Sequence, residues 1–396
     1  MLAALSRSGT SVRMLLAATV LLGLGQQIFV VARNPLLAEL GYRTDAIPFV
    51  QASGALAGVL AGVLATWATP RMDAAVVFGL CSLLQATGFA VQANASAPMG
   101  FLVGSALAGV AIQLNTAMIP PVLHRLSEDD ARPTIFTAHS IALTALAGLL
   151  AAAVVSAATH VRGQTVGGHR AALYAGVAAS LLATALFARV EAAPVQRHER
   201  WRLEDPRRVI LCVALQGLTA FAGGIMLPFL QIYFKLTFGV SLQGVAWIYA
   251  GTMAMGTVSF VLAPVLVARF GLMRTIVGLQ LLILPLFFEL ASATNTRVAA
   301  AAFIGRHAVA ATVAPLSSAF YQRVSRGRDG EAVAGLGMVT ASVTWAAGTL
   351  LAGPLIAEAK GGFGLALQVS AAMFGIVALV GLLALPRLWR SRPRIG

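Results

Sequence analysis

"ARVEAAPVQRHERWRLEDPRR", residues 188–208, is the longest polar interruption in the chain. Six apolar runs precede it and six follow, so its place decides the fold. About 20 apolar residues are enough to cross the hydrocarbon of a bilayer. Runs of that length lie near 13–38, 46–69, 74–93, 98–123, 133–159, 169–190, 207–235, 243–268, 274–292, 298–322, 332–357 and 363–386. The 396 residues are 58% hydrophobic and 11% charged, with mean hydropathy +0.84. A soluble domain carries about 25% charged residues, so much of this apolar surface must face lipid. The fold expected is an all-α polytopic membrane protein of twelve transmembrane helices. Residues 1–190 form one six-helix half, 191–206 a cytoplasmic linker and 207–396 the second half.

The net charge of +14 would suggest nucleic acid in a soluble chain. Here the basic residues occupy short turns between apolar runs, which reads as contact with anionic membrane lipid and not with nucleic acid. With both termini inside, twenty Lys and Arg residues fall in inner segments and six in outer loops. Arg33 and Arg306, inside spans, complete the 28. That bias puts both termini and the central loop in the cytoplasm, with the protein in the cytoplasmic (inner) membrane. The apolar N-terminus continues to about residue 38 without a small-residue cleavage site, so it reads as an uncleaved first span.

Cys81 and Cys212 lie in apolar runs with no disulfide or metal-ligand spacing. No phosphate-binding glycine loop, nucleophile triad or paired-carboxylate site appears, so no ATP chemistry, metal or cofactor is expected and the chain reads as no enzyme.

The two halves echo each other. "NPLLAELG" at 34–41 matches "LPFLQIYFKLTFG" at 227–239, each a span end with proline before an outer turn at glycine. "LAGLLAA" at 146–152 matches "AAGTLLAG" at 346–353, with Gly148 and Gly348 in register. Repeated six-span halves with the site at their interface are common among secondary transporters. Across nearly its whole length the sequence resembles the major facilitator superfamily (MFS). The resemblance rests on the 6+6 layout, the charged central loop and the basic turns after spans two and eight. The family's loop signature is a glycine, an acid, then a basic-glycine-basic cluster. "GVLATWATPRMD" at 62–73 keeps Gly62 and Arg71 but has Thr66 where the family usually has aspartate. "VLVARFGLMR" at 265–274 keeps Arg269, Gly271 and Arg274, again without the acid. These five residues form the conformational-gate loop that the resemblance implies. The Gly-Pro pattern that marks many proton-coupled exporters in span five is missing, since "IALTALAGLLAAAVV" has no proline. By resemblance, the halves rock around a central cavity lined by spans one, two, four, five, seven, eight, ten and eleven.

A charge within the bilayer is costly, so Arg33 and Arg306 are functional candidates. Their depths from the outer ends of spans one and ten are similar, roughly 9 and 12 Å. One guanidinium from each half would clamp a carboxylate or phosphate. The alternatives are that Arg306 pairs with Glu289, and that Arg33 snorkels outward or pairs with Glu39. Gln26, Asn34, Gln113, Asn115 and Trp345 complete the substrate-binding candidates, against a plain role in helix packing. Proton coupling falls to His139, Glu289 or His307.

The resulting expectation is a monomeric secondary active transporter of a small organic solute, an anion if Arg33 and Arg306 bind it, coupled to an ion such as H+. Efflux, as an antiporter, is favoured over uptake by general resemblance. The alternatives are a passive or exchange-type facilitator, and a non-transporting sensor or enzyme on the same scaffold.

Overall fold

The computed structural model describes residues 9–42, 46–68, 72–126, 132–191, 203–325, 328–358 and 362–390. Among these residues the regular structure is entirely helical. Eleven helices are long and apolar enough to cross a membrane, and a further helix has the shorter apolar stretch Ile47–Gly62. The chain is thus a multi-pass membrane protein. The helices are α1 (Thr10–Glu39), α2 (Ile47–Ala68), α3 (Ala74–Asn94), α4 (Pro98–Leu126), α5, α6 (Val166–Phe187), α7, α8 (Leu242–Phe270), α9 (Leu272–Ser292), α10 (Thr296–Val324), α11 (Arg328–Glu358) and α12 (Phe363–Arg390). The twelve apolar runs each become one of these helices.

Two helices are irregular. α5 runs Arg132–Ile141, passes through a π-helical turn at Ala142–Leu146 and continues as Ala147–Arg162. α7 runs Pro206–Met226, tightens to a 3-10 turn at Leu227–Phe229 and ends as Leu230–Phe238. Pro228 sits in that 3-10 turn, where a proline removes a backbone donor and disfavours continuous α-helix.

By compactness the chain forms two units. The first holds Met1–His198 with Gln231–Ala254, and the second holds Glu199–Leu230 with Met255–Gly396. Compactness therefore groups the end of α7 and the first part of α8 with the first six helices.

The first unit has a core of buried side chains that includes Leu15, Phe78, Val122 and Phe187. Gln85 of α3 cross-links it. Its amide donates to Ser180 Oγ of α6 at 3.1 Å and to the Leu22 carbonyl of α1 at 3.4 Å, and it accepts from Gln26 at 3.1 Å. α2 and α4 meet backbone to backbone: a Cβ on Gly109 would lie 2.1 Å from the Gly54 carbonyl oxygen. Only glycine allows that approach, the usual role of small residues between membrane helices. At the end of α1, Glu39 pairs with Lys235 at 2.5 Å.

The second unit is cored by residues that include Val209, Cys212, Phe320 and Leu385. The start of α7 is strongly specified. Pro206 takes the first helical turn, and the Asp205 side chain caps the helix by accepting from the Arg208 N–H at 3.1 Å. Asp329, 2% exposed in α11, accepts from the Glu204 and Asp205 N–H groups at 2.8 and 3.0 Å. Higher up, α7 and α11 touch along their backbones, since a Cβ on Gly224 would lie 2.3 Å from the Trp345 carbonyl oxygen.

Candidate functional site

Within the second unit, α7, α9, α10, α11 and α12 line an open cavity of about 500 Å³. That is within the range of small-molecule sites, roughly 300–1,000 Å³. Its wall is mostly apolar, formed by residues such as Ala310, Val313, Ile283 and Leu227. Arg306 and His307 enter from α10, Gln216 and Thr219 from α7, Gln280 from α9 and Trp345 from α11. Among the described residues, no Asp or Glu lines it.

Arg306 is 5% exposed. Its Cζ lies 5.2 Å from the Phe287 ring centroid and 5.3 Å from that of Phe374. The two rings stack on each other at 5.4 Å. Cation–π contact of this kind contributes about 0.5–2 kcal/mol and leaves the net charge in place. Glu289 is exposed on α9. It stands two residues from Phe287, so the face that meets Arg306 is not the face that carries the carboxylate. The aromatic pair is thus a contact of Arg306 that the sequence did not offer.

The amides of this cavity differ. Gln216 donates to the carbonyls of Cys212 and Val333, each at 3.4 Å, and is committed to holding α7 against α11. Gln280 is 8% exposed, and its buried Oε1 has no hydrogen-bond partner among the described residues. Trp345 is half-buried, with its ring against the backbone of Gly223. Arg306 and His307, about 100° apart on their helix, both line the cavity because Arg306 leans over the two rings while His307 approaches Gly256 of α8.

Arg33 belongs to the first unit and has a different setting. It donates to Gln51 Oε1, and at 3.4 Å to both Asn34 Oδ1 and Ser105 Oγ. Gln51 also donates to Asn34 Oδ1 at 2.9 Å, and Asn34 donates to Gln231 at 3.4 Å. All these partners are neutral, and Glu39 is taken by Lys235. Gln26 is engaged by Gln85. Asn115 is buried in α4, with both amide atoms lacking a partner among the described residues. Gln113 and His139 are half-buried on α4 and α5, and His139 Nε2 is buried without a hydrogen-bond partner in the same sense. Of the loop residues, Gly62 is half-buried. Arg269 is exposed beside the Phe270 ring at 5.4 Å, and Arg274 is exposed. Gly271 caps α9 with φ +79°, a conformation that favours glycine. Arg71 lies outside the described residues.

Among the described residues, no group of three or more His, Cys, Asp or Glu could hold a metal ion. Sequence reasoning missed Gln280, Phe287 and Phe374. The first two lie on the buried stripe of α9, Ile276, Gln280, Ile283, Phe287 and Leu290, whose period was a legible signal.

No protein-family model matches the sequence, and no curated protein does. Solved structures do resemble the fold. A bacterial homologue of the human lysosomal transporter Spinster, inward-facing and occupied, aligns with TM-score 0.76 at 12% identity, over 97% of this chain and 98% of that one. The nucleoside transporter NupG aligns with TM-score 0.72 at 15% identity, over 96% and 100%. The MFS transporter FucP, in its outward conformation, aligns with TM-score 0.64 at 15% identity, over 95% and 99%. The chain has the major facilitator superfamily fold. Within the MFS fold, the cavity described above draws on α9 and α12 as well as on α7, α10 and α11. The sequence resemblance had placed neither α9 nor α12 among the cavity-lining spans.

Proposed function

We propose that this protein is a secondary transporter that carries a small organic anion by alternating access, with the cavity of the second unit as part of its binding site. The observation that carries this reading is a cavity of about 500 Å³ whose lining includes the Arg306 guanidinium and, among the described residues, no carboxylate. A buried guanidinium against aromatic rings keeps its charge, and the ligand group that best offsets it is a carboxylate or phosphate. The apolar wall suits an organic body attached to that group. The fold supports transport, because NupG, FucP and the Spinster homologue are each described as transporters or transporter homologues. His307 is proposed as the group that carries a coupled proton, since its imidazole shares the cavity with Arg306.

Thermal unfolding of the purified protein, screened against aromatic carboxylates, quaternary amines, nucleosides and neutral sugars, tests the reading. Carboxylates are expected to raise the unfolding temperature of the wild type but not of Arg306→Gln. Stabilisation by neutral or cationic solutes that survives in Arg306→Gln would overturn the anion assignment. Calorimetry of a carboxylate hit in two buffers of different ionisation heat tests the coupling role. Proton exchange on binding should disappear in His307→Gln, and its persistence there would exclude His307.

A further inference from the structure

Arg33 is the charge within the spans that the cavity of the second unit does not use. A guanidinium carries five N–H donors. Among the described residues three of them are taken: Nε donates to Asn34 Oδ1, Nη1 to Ser105 Oγ and Nη2 to Gln51 Oε1. The first two contacts are long, at 3.4 Å. One N–H remains on each terminal nitrogen. All three acceptors are neutral, and Glu39, the carboxylate of the same helix, is held by Lys235 at 2.5 Å. Neutral oxygens solvate a guanidinium but leave its charge in place, whereas charges in a protein interior are normally paired.

The helix shows where a counter-charge can enter. Gln26, Gln27, Val30 and Arg33 lie within about 120° of one another around α1. Val30 is 39% exposed and the other three are half-buried, so this stripe is accessible. The opposite face, with Gly25 and Ile28, packs on Gly176 of α6. An arginine flanked by two glutamines does not face lipid, because a charge within a span turns to the protein interior or to a water-filled cavity. The accessible stripe of α1 is therefore wet.

The surroundings select the ligand. The second-unit cavity is walled mostly by apolar side chains, but the partners of Arg33 are two amides and a hydroxyl. Such a setting suits a small hydrated anion better than an organic body. Two N–H groups on neighbouring nitrogens match two oxygens of one oxyanion.

We infer that Arg33 is the centre of a second binding site, in the first unit, for a small inorganic oxyanion of the phosphate or sulfate type. Bound there, the anion compensates the charge that the fold leaves on α1. The site does not rest on the anion reading of the second-unit cavity.

The test is thermal unfolding of the purified full-length protein in sodium phosphate, sulfate or chloride at equal, low ionic strength. Phosphate or sulfate should raise the unfolding temperature of the wild type by about 2–4 °C over chloride, and the larger shift names the preferred anion. Arg33→Gln should lose the shift, and Arg306→Gln should keep it in full. Arg33→Lys, which retains the charge without the planar fork, should keep only part of it. That variant makes the comparison if Arg33→Gln does not purify folded. Anions that act by exclusion from the protein surface shift every variant alike, and that result overturns the inference. So does a wild type that unfolds at one temperature in all three salts. A shift lost equally in Arg33→Gln and Arg306→Gln would mean a single shared site and would overturn a separate one on α1.

Discussion

Arg306 holds a full charge in the interior at a position whose depth is legible in the sequence but whose surroundings are not. A charge in an apolar run is visible by inspection. Its ring partners include Phe287 and Phe374, from α9 and α12, and no local pattern links them to residue 306. Gln280 escaped attention because a lone amide in a span usually bonds a neighbouring helix, as Gln85 does here. Gln85 and Arg306 therefore predict different outcomes. Gln85→Leu strands Ser180, Gln26 and a backbone carbonyl, and should lower unfolding stability by about 1–3 kcal/mol. Chemical or thermal unfolding in detergent measures this, and an unchanged midpoint would show that the network contributes little. Arg306→Met removes a buried charge held by aromatic faces. It should leave ligand-free stability unchanged or raise it by about 1 kcal/mol, because burying an ion costs more than such contacts return. A large loss of stability would mean instead that Arg306 is a structural keystone.

At the scale of elements the sequence was most informative where the physics is local. Each run of about 20 apolar residues became a helix, since a backbone in lipid has to satisfy its own hydrogen bonds. The π-helical turn of α5 and the broken α7 were not foreseen. The former depends on packing between helices, and Pro228 alone does not say where a helix will tighten. The contacts between helices yield two predictions. Gly109→Ala would drive a Cβ to 2.1 Å from the Gly54 carbonyl oxygen, a clash with backbone that no rotamer relieves. A loss of about 3 kcal/mol is expected, read as a lower unfolding temperature, and a neutral result would mean that α2 and α4 can part freely. Asp329→Ala removes the acceptor for the Glu204 and Asp205 N–H groups at the start of α7. It should cost about 2–4 kcal/mol, whereas Asp329→Asn, which keeps one acceptor, should cost less.

The whole molecule was legible in outline, because charge distribution and span count are properties of the entire chain. The orientation that those basic turns imply can be tested directly. Cys81 and Cys212 are 2% and 0% exposed, so native cysteines should react poorly with maleimides. A cysteine at exposed Ala97, between α3 and α4, should label in intact cells with a membrane-impermeant maleimide. One at exposed Glu204 should label only after permeabilisation. The reverse pattern would invert the topology. What the whole sequence could not convey is which faces converge, because convergence requires five helices to be placed at once.

The setting of Trp345 has an optical consequence. Of the two tryptophans whose side chains the structure describes, Trp247 is 49% exposed on α8, while Trp345 lies in the cavity wall against Gly223. A bromine-bearing benzoate seated beside Arg306 would quench the emission of Trp345. Occupancy could then be read as light from the unlabelled protein.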